Sequence, residues 1–332
     1  MLLQRFKVQY SRFRCRPFAS TTITLTLSCL FLFALSCQES SESALDVRLK
    51  GPIAEEYTEG TSAEKPIRFA LASVVSPELS TISYARFSTY LTLHLHQDVE
   101  IVRRKTYSEI NELLRNGSVD AGLVCTGAYA KAREDFGLKM LMVPVVYGST
   151  SYQAYIITRA DKPFESIDDL KGSTFAFSDP LSNTGYRYIA ALLLDRESTP
   201  DEFFQHTFFT YSHDNTIQAV HDGIADAGVV DSLVWDQFVL SNQGTPNELA
   251  IVQRSEEFPI NPIVVSPKAN AELANQLKQV LLDMPSDPAG RQALSDLGIT
   301  GFSKIPESDY DPIVASWRKL GVITDDPPTA LR

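Results

Sequence analysis

The segment richest in usable chemistry is Ser178-Asp179-Pro180-Leu181-Ser182-Asn183-Thr184-Gly185, which follows the apolar Phe175-Ala176-Phe177 and leads into apolar residues 190–194. This order predicts a strand, a polar turn and a helix. The Ser182 and Thr184 hydroxyls can donate hydrogen bonds, and the free N–H groups of the helix's first turn carry the positive end of its dipole, so the segment suits an oxyanion. It also reads as a plain capping segment in which Ser182 or Thr184 satisfies its own helix.

Other candidates stand where strands end. His213 follows the strand expected at 207–211 and starts a helix, so its imidazole can reach a cleft. If charged, it would strengthen every hydrogen bond to an anion; with Asp214 it also reads as a helix cap. Tyr84 lies beyond the first strand, and Thr126, Gly127 and Tyr129 follow the strand at 121–125. Gly127 permits close backbone approach, while Tyr129 offers a ring and an O–H donor. Tyr152 and Tyr155 lie on an expected crossover with their side chains opposite in sense. Each of these aromatics reads equally as packing.

The elements that must hold these residues form an α/β pattern, short apolar strands alternating with amphipathic helices from about Pro66 onward. Most of the last sixty residues read as helical. Asn116-Gly117-Ser118-Val119-Asp120-Ala121-Gly122-Leu123-Val124 recurs as Asp222-Gly223-Ile224-Ala225-Asp226-Ala227-Gly228-Val229-Val230. Both copies read as a helix ending at a glycine, a turn at an aspartate and a buried strand, which points to two similar lobes. The copies end at Cys125 and Asp231, both facing the expected cleft mouth. A carboxylate at Asp231 would repel a bare dianion and would suit a ligand ammonium or an oxyanion that keeps a proton; it also reads as the N-cap of a helix at 233–240. The expected organisation is a first lobe at 66–150, a second at 151–254, and a return to the first lobe with C-terminal helices at 255–332.

Asp179-Pro180-Leu181-Ser182-Asn183-Thr184-Gly185 resembles the Asp-Pro-x-Ser-x-Ser/Thr-Gly stretch of phosphate/phosphite/phosphonate-type periplasmic substrate-binding proteins of ABC transporters. Ser166 to Gly172, Ser212-His213-Asp214 and Gly223-x-x-Asp226-Ala227 are similar to that family in order and spacing, so the resemblance covers about 66–305. Asn183 departs from it, standing where the family often has a hydroxyl residue. The resemblance implies a type II-like, two-lobed fold, each lobe a sheet flanked by helices, with a ligand cleft between them. It implies that Ser182, Asn183 and Thr184 hold a phosphonate or related phosphorus oxyanion, that His213 donates to it, and that an ABC permease receives it after cleft closure. A tethered sensing subunit of a signalling receptor would use the same fold.

Five basic residues, Arg5, Lys7, Arg12, Arg14 and Arg16, precede an uncharged apolar run at 23–36, the layout of an export signal and too short for a span. Ala34-Leu35-Ser36-Cys37 resembles a lipobox, with Ala34 in place of the usual Leu. Cys37 is thus the expected lipidation site, 1–37 the leader, and 38–65, rich in Ser and Glu, a flexible tether. Beyond the leader the chain carries 25 basic and 41 acidic residues, a net charge of −16, which argues against nucleic acid. Cys125 is then alone in the folded part and reads as a small buried residue. No metal, cofactor or nucleophile-elbow motif is present, so an envelope-bound, monomeric binding protein is expected rather than an enzyme.

Overall fold

A computed structural model describes residues 65–241 and 248–321; the expected leader, Cys37 and nearly all of the expected tether lie outside these residues. The strands are β1 Ile67–Leu71, β2 Val99–Arg103, β3 Ala121–Leu123, β4 Lys139–Val146, β5 Ser151–Tyr152, β6 Ala154–Arg159 and β7 Thr174–Phe177. They continue with β8 His206–Phe209, β9 Ala227–Asp231, β10 Leu249–Arg254, β11 Phe258–Pro259, β12 Ile263–Val265 and β13 Ile299–Ser303. The α-helices are α1 Pro77–Leu95, α2 Tyr107–Asn116, α3 Thr126–Phe136, α4 Tyr188–Leu194 and α5 Pro200–Phe203. After them come α6 His213–His221, α7 Ser232–Leu240, α8 Ala271–Asp283, α9 Pro288–Ser295 and α10 Asp311–Lys319.

Two mixed sheets result, ordered β13-β4-β12-β3-β1-β2 and β10-β6-β9-β7-β8. Helices cover both faces of each, and strand alternation explains why. In β1, Phe69 and Leu71 pack with Phe87, Leu91, Leu277 and Leu281, whereas Ala70 faces the cluster containing Tyr107, Ile110, Leu114 and Trp317. In the second sheet Phe175 and Phe177 face Ile189 and Leu193, while Ala176 faces Ile217 and Val220. The chain passes between the sheets twice, just before β6 and just after β10. There β5 and β11 pair antiparallel, Tyr152 opposite Phe258, so the two crossings form one ribbon.

The sequence repeat is a repeat of structure. Gly117 and Gly223 take left-handed φ values of 74° and 72°. Asp120 accepts the Arg68 N–H at 2.8 Å and Asp226 accepts the Thr174 N–H at 3.0 Å, each carboxylate clamping the neighbouring parallel strand. Two expectations change. The first helix starts at Pro77 rather than near Tyr84, and residues 299–303, expected to be part of a helical tail, form β13 along β4.

Candidate functional site

Ser182 caps the helix that runs from Asn183 through Leu194: its Oγ accepts the Gly185 N–H at 2.9 Å. The first turn, Asn183–Arg187, is wound as a π-turn, a widening found often at functional sites. Gly185 is required here. A Cβ at that position would overlap Ser178 Oγ and stand 2.8 Å from both His213 Cε1 and Ser182 Oγ.

His213 lies behind this turn. Its Nδ1 is 3.0 Å from the Asp231 backbone nitrogen, and because an amide can only donate, the ring proton is on Nε2. That Nε2 is 3.3 Å from Ser182 Oγ and 3.4 Å from Ser178 Oγ. Burial lowers the His213 pKa to about 3, so the ring is neutral, not the charged donor considered from sequence. Its N–H faces the seryl oxygens, which leaves the Ser182 hydroxyl proton free to donate elsewhere.

From the other sheet, the start of α3 closes directly onto this turn. Cys125 Sγ is 3.9 Å from Ser182 Oγ, and a Cβ at Gly127 would clash with the Leu181 carbonyl oxygen and stand 2.8 Å from the Asn183 nitrogen. Further bonds cross between the lobes. Tyr107 N donates to Asp179 at 3.1 Å, Ser76 N to Asp214 at 2.9 Å, and His213 N to the Val74 carbonyl at 3.0 Å.

Four donors converge on this junction with no partner of their own: the Tyr107 and Tyr152 hydroxyls, Asn183 Nδ2 and Thr184 Oγ1, all buried. Burial raises the pKa of both tyrosines well above the usual value, and each feels Cys125 and Asp231 as neighbours. The Tyr152 hydroxyl comes close to the Thr126 and Asn183 side chains but is in hydrogen-bond geometry with neither. A buried polar group left unmade costs about 1–3 kcal/mol, so four donors in one place suit a group rich in acceptors.

The remaining candidates are placed differently. The Thr126 hydroxyl is 2.9 Å from the Pro259 carbonyl and 3.0 Å from Asn261 Oδ1, tying α3 to the ribbon rather than facing a ligand. Tyr129 packs edge-on against Tyr310 at 4.8 Å, with Glu307 and Arg133 as its charged neighbours. Tyr84 lies beneath the Arg103 guanidinium at 5.5 Å and lines a cavity beside the site, not the donor cluster. Asp231 is the N-cap of α7, its Oδ1 accepting the Leu233 N–H at 2.8 Å, and it also borders that same cavity. Burial raises its pKa to about 7 and that of Asp179 to about 6.

Two residues were not singled out from sequence. Tyr107 begins a strongly amphipathic helix, and the apolar period of α2 accounts for it without a ligand; its position just past the end of β2 was the available signal. Arg187 follows Asn183 by one helical turn, 1% exposed, its guanidinium 3.4 Å over the Trp317 ring and Nη1 3.2 Å from the Ile313 carbonyl. Its Nε and Nη2 have no partner, and burial lowers its pKa to about 8. An arginine in a helix reads as a surface residue, so no local signal marks it.

A family model described as ABC transporter, phosphonate, periplasmic substrate-binding protein matches residues 69–310. Among solved structures, a binding-protein component of an ABC phosphonate transporter from Pseudomonas aeruginosa superposes with a TM-score of 0.70 at 21% identity, covering 77% of this chain and 86% of that one. A Prochlorococcus marinus protein in complex with methylphosphonate gives 0.70 at 18% identity, covering 77% and 98%. A Xanthomonas citri protein bound to chloride ion gives 0.65 at 21%, covering 76% and 98%. At these identities the likeness of structure is one of two-lobed fold.

Proposed function

The chain belongs to the phosphonate family of periplasmic substrate-binding proteins of ABC transporters, its match spanning more than half the sequence, and from that premise we propose that it captures a phosphonate or related phosphorus oxyanion by closing its two lobes and delivers it to a membrane permease. The observation that carries this reading is the set of four unpartnered donors around the helix start at Ser182. A tetrahedral oxyanion offers acceptor oxygens to donors arriving from several directions, and the helix dipole adds to its stabilisation. Tyr107 comes from the first lobe, Asn183 and Thr184 from the second, and Tyr152 from the ribbon between them, so one ligand would satisfy donors that only a closed cleft assembles.

The same geometry favours binding over turnover. His213 presents a proton, not a lone pair, to Ser182, so it is not placed as a base for that hydroxyl. The Cys125 thiol is raised by burial to about 11 and stays protonated. In this reading Cys37 carries a lipid anchor and residues 38–65 the tether that keeps the domain at the membrane.

Calorimetric titration of the chain with methylphosphonate, phosphate, phosphite and sulfate tests the proposal. Stoichiometric binding of a phosphorus oxyanion without product is expected; failure of all of them to bind, or their conversion, would overturn it. Mass spectrometry tests the anchor. A lipid-modified Cys37 as first residue, lost in Cys37→Ser, is expected, and an unmodified N-terminus elsewhere would refute it.

A further inference from the structure

Among the described residues Arg187 is the one buried arginine or lysine. It lies one helical turn beyond Asn183, and residues at that spacing share a helix face. Its side chain crosses to the first lobe, the guanidinium over the Trp317 ring and Nη1 donating to the Ile313 carbonyl. Trp317 Nε1 in turn donates to the Gly127 carbonyl at 3.1 Å. The indole thus links the guanidinium to the start of α3, which packs on the Ser182 turn. An aromatic face and one carbonyl are favourable contacts, but neither is a countercharge. Nε and Nη2 have no partner, and the one titratable group acting on Arg187 is Cys125, whose thiol burial keeps protonated. That thiol is itself beside Ser182 Oγ. The other ionisable groups of the junction do not balance an anion either: Asp179 and Asp231 carry the ligand's sign when ionised, and His213 is neutral. A charge taken out of water is costly unless it is paired, so a buried guanidinium without a carboxylate beside the oxyanion turn needs an anionic partner.

We infer that the bound ligand is the countercharge of Arg187, and that the site therefore selects doubly ionised tetrahedral oxyanions over singly ionised ones of the same shape. The inference rests on the oxyanion reading of the donor cluster and adds to it the charge state of the ligand. The four unpartnered donors are all uncharged, so they count acceptor oxygens and distinguish a dianion from a monoanion only weakly. Arg187 distinguishes them by its field, which acts across a dry junction where little water screens it. A bound dianion in turn holds the guanidinium protonated against its burial. Because the side chain spans from the second lobe to Trp317 of the first, this charge is in place when the lobes are together.

Methylphosphonate and methanesulfonate have the same three-oxygen tetrahedral head and differ by one charge at about pH 8, where the phosphonate is doubly ionised. Both are titrated by calorimetry against the full-length chain as wild type, Arg187→Met and Arg187→Lys. The wild type should prefer methylphosphonate by at least about tenfold. Arg187→Met should weaken methylphosphonate by roughly a hundredfold and methanesulfonate by less than about tenfold, the asymmetry expected when one partner of a buried charge pair is removed. Arg187→Lys, which keeps the charge, should keep the preference. An equal loss for the two anions in Arg187→Met would show a structural role and overturn the inference, and so would unchanged methylphosphonate affinity; either leaves the oxyanion reading standing. A wild type that binds methylphosphonate no better than methanesulfonate overturns it as well. If the wild type binds no phosphorus oxyanion, both readings fall. Arg187→Gln replaces the methionine variant should that not fold, and the wild-type ratio decides alone if neither does.

Discussion

At the scale of single residues the site is a set of groups held out of their usual ionisation. Asp231 shows the consequence. Burial raises its carboxyl to about 7, so between about pH 4 and 7 the unfolded chain ionises there while the folded protein keeps its proton. The stability this group contributes is complete below pH 4 and is lost as pH rises through 7. An asparagine caps α7 almost as well and does not ionise. Asp231→Asn should therefore unfold less readily than wild type at pH 8, by on the order of 3 kcal/mol, and match it at pH 4. Denaturation curves at the two pH values check this, and an equal offset at both would contradict it. Ser182, Asn183, Thr184 and Tyr152, which the structure brings together, were nameable from sequence because they stand at a helix start and a crossover, although the same residue types also serve as caps and packing there. Tyr129 and Tyr84 were named on the same grounds and lie elsewhere, since position after a strand does not say toward which face of the following helix a ring points. Asn261, which holds Thr126, and Arg187 were out of reach because their partners are 135 and 126 residues away.

Among elements, the decisive contact is the start of α3 against the turn at Ser182. Its closeness depends on Gly127, whose φ is unremarkable and whose missing side chain is what matters. Gly127→Ala should hold the lobes apart, lowering phosphonate affinity at least about tenfold, because the donors of the two lobes no longer meet. The cost to the fold should be small, since the clash is between lobes and not within one core. Titration together with small-angle scattering checks this, and unchanged affinity with an unchanged ligand-dependent radius would refute it. The elements themselves were largely legible because the two copies of the Gly-x-x-Asp-Ala-Gly pattern carry their own grammar, glycine cap, aspartate clamp and buried strand. β13 was not, because Ile299-Thr300-Gly301-Phe302-Ser303 is short, contains a glycine, and becomes a strand only by lying along β4. The same tertiary dependence hides β5 and β11, which are two residues each.

For the whole molecule, net charge and ligand charge have the same sign, with 41 acidic residues against 30 basic ones. Capture therefore relies on the local field of the recessed site, where remote charges are screened within about 8–10 Å. No helix among the described residues is long and apolar enough to cross a membrane. The two lobes join through the β5–β11 ribbon, and in the proposed function Tyr152, on that ribbon, would couple the crossing to the ligand. If the buried, unpartnered donors exist for a phosphorus oxyanion, removing them singly must weaken its binding. Tyr107→Phe and Thr184→Val each remove one such hydroxyl with little change of shape. Each should weaken the best-bound phosphonate by about 1.5–3 kcal/mol in calorimetry while leaving the unliganded protein as stable as wild type or more so. Unchanged affinity in both variants, with the ligand still bound stoichiometrically, would contradict the claim.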